Sequence, residues 1–422
     1  MKKIIQSVKG TRDFYPEEMS QRTWLLEKIK QVSERYGYQE YDGPFIEKID
    51  LYAAKSGEEL VKEQAFVFQD RGGDLITLRP ELTPSLARMI AQKQQELIFP
   101  QRWLSFGPFW RYERPQKGRT SEFFQWNIDL LGSDSPESDA ELVAIAANFF
   151  ESLGLSSNQV KIYINNRKLM DSSLEKIGIE KNKKQDVFRL IDRRDKMPPM
   201  EWDSLALSYG LTTEQLASLK MILSDGELWQ QSDDMVRLFN ALDAMGVSDY
   251  VKYDAKIIRG LDYYTGLVFE AKDIDGEGRA LLGGGHYDNL VADVGGDPLP
   301  GVGFAMGDVM MGIVLKKYGC IPEFKNTSAS VLMTVFDENL LLESLKIAGQ
   351  LRNSGINVVS FTDVPKLQKQ LKFADRIGVQ FVLIYGPDEV QNQTIILKDL
   401  SDRSQESIAI GELTEILAQK LA

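Results

Sequence analysis

The stretch FGPFWRYERPQKGRTSEFFQWNIDLLG, from Phe106 to Gly132, combines two apolar segments with a basic loop. Aromatic and branched apolar residues are typical of strands, so we predict strands around Phe106 to Tyr112 and Phe123 to Leu131. The loop that joins them could wrap a polyphosphate, because arginine and lysine bind phosphate oxygens. Its residues of interest are Glu113, Arg114, Lys117, Gly118 and Arg119.

Strand alternation gives each of these two strands a polar face. The residues that share a face are Phe109, Arg111 and Glu113 on the first strand, and Phe123, Gln125, Asn127 and Asp129 on the return strand. Arg111, Gln125 and Asp129 are therefore expected to converge on a single floor. Two alternatives stay open: a buried structural pair of Arg111 with Asp129, and a solvated basic loop for Lys117 and Arg119.

A second informative stretch is RGLDYYTGLVFE, which begins at Arg259. Arg259 offers a planar fork for a carboxylate or phosphate, and Asp262 offers an anion. Tyr263 and Tyr264 add flat faces with hydroxyl tips. These parts could bind a small zwitterion, although an amphipathic strand with a capped turn is an equal alternative.

The glycine triplet Gly283 to Gly285 follows shortly after, in RALLGGGHYDNL. Glycines weaken a strand unless something approaches its backbone closely. A ligand lying on the sheet is one such reason, and a β-bulge is the alternative.

Composition limits the possible chemistry. The chain has 422 residues, a formal charge of -12, one cysteine and one histidine. No disulfide can form within the chain, and no metal site built from histidine or cysteine is expected. Arginines and carboxylates must therefore carry any chemistry. The N-terminus lacks the apolar run of a signal peptide, and no window is apolar enough to span a membrane, so a cytoplasmic location is expected.

Several shorter elements can be placed from local signals. We predict a helix from about Glu17 to Tyr36, and a hairpin whose turn precedes Glu81 and Thr83 on a short link. These two side chains could face a ligand; alternatively Thr83 caps a helix and Glu81 is solvated. Asp308 is predicted to cap a later helix.

The second half of the chain divides into helical and mixed segments. Residues 170–247 read as helical, with a basic cluster from Lys181 to Lys196 that is either a solvated face or a phosphate contact. Strand and helix patterns alternate from about Asn326 to the end, which predicts a compact α/β domain.

Six motifs together resemble the histidyl-tRNA synthetase family of class II aminoacyl-tRNA synthetases: KGTRDF, LRPELTPS, FWRYERPQKGR, RGLDYYTGLVFE, GVGFAMGD and KLQKQLKFADRIG. The resemblance implies an α+β catalytic core with a mostly antiparallel sheet flanked by helices, a helical insertion, and a C-terminal α/β domain similar to the anticodon-binding domain. The implied boundaries are 1–169 and 249–322 for the two parts of the core, 170–248 for the insertion and 326–422 for the last domain.

The resemblance also implies an activity. It is the ATP-dependent activation of L-histidine to histidyl-adenylate and transfer to the 3′ end of tRNA(His), with ATP, Mg2+ and a homodimeric assembly. The implied catalytic residues are Arg259 and Arg111. The residues implied for histidine are Glu81, Thr83, Arg111, Gln125, Asp129, Arg259, Tyr263 and Tyr264. Those implied for ATP are Arg111, Glu113 and Arg119, and those implied for tRNA are Lys366, Lys369 and Lys372.

Three positions depart from the pattern common in this family. Met310 stands where many members have an arginine that binds ATP, His286 follows the glycine triplet where many have arginine, and Asp129 is glutamate in some. His286 is expected to be a tolerated polar residue at a strand end. Two alternatives remain: a non-catalytic histidine-sensing regulatory subunit of ATP phosphoribosyltransferase, and an acyl-adenylate ligase.

Overall fold

The computed structural model describes residues 4–53, 60–113, 118–258, 263–276, 280–324 and 327–421. The chain divides into two compact units, residues 1–14 with 22–321 and residues 15–21 with 322–422. The strands of the first unit are β1 Gln39–Glu40, β2 Ile46–Lys48, β3 Phe66–Gln69, β4 Leu75–Leu78, β5 Gln101–Trp110, β6 Glu122–Leu131, β7 Val160–Asn166, β8 Val251–Tyr253, β9 Leu267–Asp273, β10 Ala280–Tyr287 and β11 Gly301–Gly307.

The α-helices up to residue 318 are α1 Pro16–Arg35, α2 Asp50–Ala53, α3 Thr83–Lys93, α4 Pro136–Ser152, α5 Arg167–Lys176, α6 Lys184–Asp192, α7 Pro199–Ser208, α8 Thr213–Ser224, α9 Asp233–Ala244 and α10 Asp308–Tyr318. The predicted first helix is confirmed as α1, and Gly37 stands after it in the left-handed region (φ 79°) that glycine favours. The chain between β7 and β8 is helical, as its pattern predicts.

An eight-stranded sheet is the centre of the first unit, in the order β1-β5-β6-β11-β10-β9-β7-β8. The pairs β1/β5 and β7/β8, one at each edge, are parallel, and the five pairs between them are antiparallel. The predicted strands around the basic loop are β5 and β6, and they form the expected antiparallel pair. A separate three-stranded sheet, in the order β2-β4-β3, contains the predicted hairpin.

Alternation gives the large sheet two different faces. On one face Trp126, Ile128 and Leu130 are fully buried in the main hydrophobic core, together with Phe149 of α4. The helix α4 begins here because the Ser135 side chain accepts a hydrogen bond from the Ser138 backbone N–H. The other face therefore carries the polar residues of β6.

Two predicted helix caps are wrong. The N-cap of α10 is Gly307, and the Asp308 carboxylate instead accepts a hydrogen bond of 2.9 Å from the Phe124 backbone N–H and pairs with Arg12 at 2.8 Å. The N-cap of α3 is Leu82, with no side-chain cap, so Thr83 is the first helical residue rather than the cap. The Asp308 side chain is thus engaged elsewhere in the tertiary structure.

The second unit has a five-stranded sheet in the order β13-β12-β14-β15-β16. Its strands are β12 Val331–Met333, β13 Val358–Ser360, β14 Phe381–Ile384, β15 Thr394–Asp399 and β16 Gln405–Ala409, and its helices are α11 Leu341–Asn353, α12 Leu367–Ile377, α13 Pro387–Asn392 and α14 Leu413–Leu421. The first three strands of the order are parallel and the last two join antiparallel. This confirms the predicted α/β domain. Among the described residues, no helix is long and apolar enough to cross a membrane.

Candidate active site

Polar side chains of β6 and small residues of its neighbours share one face of the large sheet. Gln125, Asn127 and Asp129 alternate along β6 on this face. Residues opposite them in register are Gly107, Ser105 and Trp103 on β5 and Gly307, Ala305 and Gly303 on β11. A β-carbon at Gly303 would overlap the Asp129 carboxylate. The glycines, Ser105 and Ala305 therefore leave room for polar groups on this face. We call the row of Gln125, Asn127 and Asp129, with the residues opposite them, the polar strip.

Asp129 is the most deeply buried acid of the polar strip. It is 5% exposed, and its Oδ1 accepts a hydrogen bond of 2.8 Å from the Tyr287 hydroxyl. Burial raises the pKa of Asp129 to about 7, and the Tyr287 hydrogen bond opposes that rise. Burial and the neighbouring Asp129 carboxylate raise the pKa of Tyr287 well above its usual value. The Asp129 carboxyl can therefore exchange a proton near neutral pH.

Aromatic side chains line the Asp129 end of the strip. The rings of Tyr263 and Tyr264 lie 4.6 Å apart, and Tyr263 meets Tyr287 edge to face at 6.3 Å. The Tyr41 ring packs at a tilt against Trp103, and its buried hydroxyl has no hydrogen-bond partner among the described residues. An apolar pocket with a few polar groups is typical of a site for a small ligand.

The glycine triplet is required by the protein's own packing. A β-carbon at Gly285 would lie 2.7 Å from the Tyr264 ring, and one at Gly284 would overlap the Gly303 carbonyl oxygen. The irregularity of the strand pairing falls between Ala280 and Leu282, before the triplet. Neither a β-bulge at the triplet nor a ligand is thus needed to explain these two glycines.

Two amide groups in the middle of the strip lack partners. Gln125 Oε1 and Asn127 Nδ2 are buried, and neither has a hydrogen-bond partner among the described residues. A buried polar group without a partner costs about 1–3 kcal/mol. A bound ligand that supplies one donor and one acceptor would recover that cost, which makes these atoms a signal for a binding site.

Arg111, Gln125 and Asp129 do not converge at one place as predicted. They lie in a long row along the β5/β6 pair. Arg111 lies just beyond β5, where its backbone N–H donates to Ser121 O at 2.9 Å, while Asp129 faces Trp103 eight residues earlier. At about 3.3 Å per residue the backbones of Arg111 and Asp129 are roughly 26 Å apart. The alternative of a buried Arg111–Asp129 pair is therefore wrong. The Gln125–Gly107 pair lies halfway between them.

Cations cluster at the Arg111 end of the row. The Arg111 side chain donates to Pro80 O at 2.8 Å, and its guanidinium lies 5.4 Å from the Phe123 ring centre. Arg119 is paired with Glu113 at 2.5 Å. The predicted residues Arg114 and Lys117 lie outside the described residues. This end has the charge and the aromatic face that a nucleotide needs.

The short link before α3 contributes a buried acid. Glu81 is 8% exposed, and its backbone carbonyl accepts a hydrogen bond of 3.3 Å from the Tyr52 hydroxyl. The interpretation of Glu81 as a solvated charge is wrong. Thr83 is half-buried at the start of α3.

Sequence reasoning missed Arg79, which is fully buried and lies against Gly107 of the strip. It donates to Asp42 Oδ1 at 2.5 Å, Gly43 O at 3.0 Å and Pro108 O at 3.0 Å. A β-carbon at Gly107 would overlap Arg79 Nη2. Arg79 thus joins the segment around Pro44 to β5, and its place in LRPE was the available signal.

Arg259 and Asp262 lie outside the described residues. Arg167 holds the chain on both sides of that segment, since it donates to Ile258 O at 3.4 Å and to Tyr264 O at 3.1 Å. It is therefore a positioning residue for RGLDYY that the sequence did not indicate.

Two departures from the common pattern lie away from the strip. Met310 is half-buried and packs against the main hydrophobic core. His286 pairs in register with the buried Val302, so its side chain lies on the core face of the sheet, opposite Asp129. It is 3% exposed and hydrogen-bonded to Asp139, which corrects the expectation of an ordinary strand-end residue.

The three lysines predicted for tRNA binding are exposed, whereas one lysine of the basic cluster in the helical segment is not. Lys366, Lys369 and Lys372 are all exposed at the start of α12. In the basic cluster between residues 181 and 196, by contrast, Lys184 is buried and paired with Glu175 and Asp171. Lys184 is thus not available to a phosphate.

Comparisons with known proteins cover nearly the whole chain. The family model described as Histidyl-tRNA synthetase matches residues 10–308, and the model described as Anticodon binding domain matches residues 328–420. A histidine--tRNA ligase from Leptospira biflexa is 34% identical, over 99% of this chain and 98% of the relative. One from Haloarcula marismortui is 36% identical, over 97% of this chain and 96% of the relative.

A solved structure gives the same result for the fold. The histidyl-tRNA synthetase from Nostoc sp. PCC 7120 has a TM-score of 0.84 and 26% identity, over 99% of this chain and 100% of that chain. The predicted family and fold class are confirmed. Because the family model and full-length relatives agree, this chain belongs to the histidyl-tRNA synthetase family.

Proposed function

We propose that this protein activates L-histidine with ATP to histidyl-adenylate and transfers the histidyl group to the 3′ end of tRNA(His). The observation that carries the proposal is the polar strip, with an aromatic pocket around Asp129 at one end and Arg111 at the other. Family membership supports the same reaction. The protein is thus an aminoacyl-tRNA ligase, and one cysteine in the chain suits the reducing cytoplasm.

Histidine binds at the Asp129 end. Asp129 and Tyr264 hydrogen-bond the imidazole, and an apolar isostere is rejected because it would leave these buried groups unpaired. Gln125, through Oε1, accepts from the α-ammonium together with Glu81 and Thr83. Tyr263 closes the aromatic wall beside Tyr264.

ATP binds at the arginine end. Arg111 binds the α-phosphate and the substrate carboxylate, while Arg119 and Glu113 bind the rest of the nucleotide. When Mg2+ is bound with ATP, it would neutralise phosphate charge, and the Glu113 carboxylate would hold it through the oxygen ligand that this ion prefers. Arg259 binds the developing charge on the α-phosphate.

The chemistry then needs alignment and charge neutralisation rather than a protein nucleophile. A carboxylate oxygen of histidine attacks the α-phosphorus, the bond to the bridging oxygen breaks, and pyrophosphate leaves. In the second step a hydroxyl of the terminal ribose of tRNA attacks the carbonyl carbon, and AMP leaves. Lys366, Lys369 and Lys372 bind the tRNA backbone from α12.

Histidine-dependent ATP–pyrophosphate exchange, followed by charging of tRNA(His), tests the proposal. Exchange is expected in the unaltered protein and is expected to be lost in Arg259→Ala and Arg111→Ala. Replacing the exposed Arg237, which pairs with Glu137, provides a control that keeps full exchange. Histidine binding without exchange would instead indicate a regulatory subunit, and exchange without tRNA charging would indicate an acyl-adenylate ligase.

A homodimer is part of the proposal. Exposed apolar side chains lie on and beside the small sheet: Phe45, Ile46, Val67, Phe68 and Leu75. Exposed apolar patches of this kind often mark protein interfaces. The molar mass from light scattering should be that of a dimer for the unaltered protein and that of a monomer for Ile46→Glu. The control Met221→Glu replaces an exposed residue of a helix and should leave the dimer intact. A monomer at micromolar concentration in the unaltered protein would contradict this.

A further inference from the structure

A buried histidine lies among three aspartates on the core face of the large sheet. His286 comes from β10, Asp139 from α4, and Asp134 and Asp288 from the flanking loops. Because His286 and the polar strip lie on opposite faces, this cluster is not part of the site proposed for histidine and ATP.

The two ring nitrogens of His286 have different surroundings. Nδ1 lies 2.8 Å from Asp139 Oδ1, and Asp139 is itself buried at 8% exposure. A carboxylate in this position accepts the Nδ1 proton and fixes the orientation of the ring. With that proton on Nδ1, Nε2 is the nitrogen left to bind a metal ion.

Nε2 faces two further carboxylates. It lies 3.1 Å from Asp288 Oδ1 and 3.3 Å from Asp134 Oδ1. With the proton on Nδ1, Nε2 and the two carboxylate oxygens can each offer a lone pair to one cation. Bonds of about 2.0–2.1 Å to a tetrahedral ion separate its ligand atoms by about 3.3 Å. The two measured separations agree with that value.

Space and charge at the cluster also suit a cation. A cavity of about 20 Å3 beside His286 is lined by Asp134 and Asp139, which is enough for one water-sized species. Lys168 and Asp234 line it too. The Asp134 side chain is 65% exposed, so an ion can enter from solvent and complete its coordination with water.

We propose that His286, Asp134 and Asp288 bind one divalent transition-metal ion, with Asp139 orienting the imidazole. One imidazole and two carboxylates suit Zn2+ and related ions better than Mg2+ or Ca2+, which prefer oxygen ligands alone. This proposal departs from the sequence-based expectation that no metal site is built from histidine or cysteine, because His286 supplies one of the three ligands. The ion would join the end of β10 to the loop before α4, behind Gly285 and Tyr287.

Zinc binding by the full-length, tag-free protein tests the proposal. After removal of metals with a chelator, calorimetric titration with ZnCl2 in the absence of ATP should show one equivalent bound. Asp134→Ala and Asp288→Ala should each weaken binding at least tenfold, and Asp139→Asn should weaken it by about 10–100-fold. The control Asp234→Asn should bind as the unaltered protein does, because Asp234 lines the cavity but, among the described residues, does not belong to the close group of His286, Asp134 and Asp288.

A spectroscopic readout is available because the chain has one histidine. With 15N-labelled histidine, Zn2+ should shift the Nε2 resonance strongly and leave Nδ1 protonated. Absence of stoichiometric binding, or equal affinity in Asp134→Ala and Asp288→Ala, would overturn the proposal. A ring protonated on both nitrogens and insensitive to Zn2+ would overturn it as well, since a proton would then occupy the place of the metal.

Discussion

The Tyr287 hydroxyl on β10 reaches the Asp129 carboxylate on β6 across the intervening strand β11, at 2.8 Å. The crossing is possible because β11 carries Gly301 and Gly303 there. A β-carbon at Gly301 would lie 2.6 Å from the Tyr287 ring. Two glycines thus let a tyrosine and an aspartate two strands apart form one buried unit.

Alanine at Gly303 should disturb this unit. Its β-carbon would overlap Asp129 Oδ1 and lie 2.7 Å from the Ile128 carbonyl oxygen, which cannot move freely. We expect Gly303→Ala to lower the free energy of unfolding by about 1–3 kcal/mol and to reduce histidine affinity. Gly307→Ala on the same strand meets no atom within 4 Å and is the control for stability. Equal urea midpoints for the two variants would contradict the argument.

The raised pKa of Asp129 predicts a pH dependence of stability. Its folded pKa of about 7 lies above the usual value of 3.8, so the folded state keeps a proton that the unfolded state releases. The free energy of unfolding therefore falls as pH rises from about 4 to about 7. The contribution of Asp129 to this fall is at most roughly 4 kcal/mol. Well above pH 7 Asp129 is ionised in both the folded and the unfolded state, so its contribution to the free energy of unfolding no longer changes with pH.

Replacing Asp129 with asparagine removes that loss. Urea unfolding without ligands should show Asp129→Asn gaining stability relative to the unaltered protein between pH 5 and pH 8. Asp363→Asn, at an exposed position, should show no such trend. A difference that is the same at both pH values would refute the raised pKa.

Gln125 is half-buried with a buried amide oxygen, and Gln370 is fully buried, so the partners of their side-chain amides can be compared. Gln125 Oε1 has no partner among the described residues, whereas Gln370 accepts from Val335 N–H and donates to Val335 O and Pro365 O. Gln125→Met should leave stability unchanged or raise it, but increase the KM for histidine at least tenfold. Gln370→Met should instead lower stability by about 1–3 kcal/mol. Pyrophosphate exchange and thermal unfolding would distinguish the two, and a normal KM in Gln125→Met would exclude its proposed role.

Arg79 should be structurally essential. Methionine there removes the cation from the three oxygens of Asp42, Gly43 and Pro108 that it holds. We expect a loss of about 3–5 kcal/mol, as for other buried charge networks. Lys196→Met, which breaks an exposed pair with Asp192, should cost less than about 1 kcal/mol. Chemical denaturation of both variants would check this, and similar losses would contradict it.

The local patterns of the sequence determined most of the elements. The helix α1, the antiparallel pair β5/β6 and the α/β character of the second unit follow from periodicity, glycines and turn residues, which act within a few positions of the chain. The motifs also pointed to the family. Local signals failed at Asp308 and Thr83, because a polar residue next to a helix can cap it or bind elsewhere, and only packing decides.

Tertiary structure decided how distant residues combine. The sequence placed Gln125 and Asp129 on one face, but it could not show that Arg111 lies roughly 26 Å from Asp129 along the ladder at about 3.3 Å per residue. Nor could it show that Tyr287 crosses β11 to reach Asp129, or that His286 turns to the opposite face. Strand order and register set these relationships, and they depend on contacts between residues far apart in the chain; Tyr287 and Asp129 are separated by 158 positions.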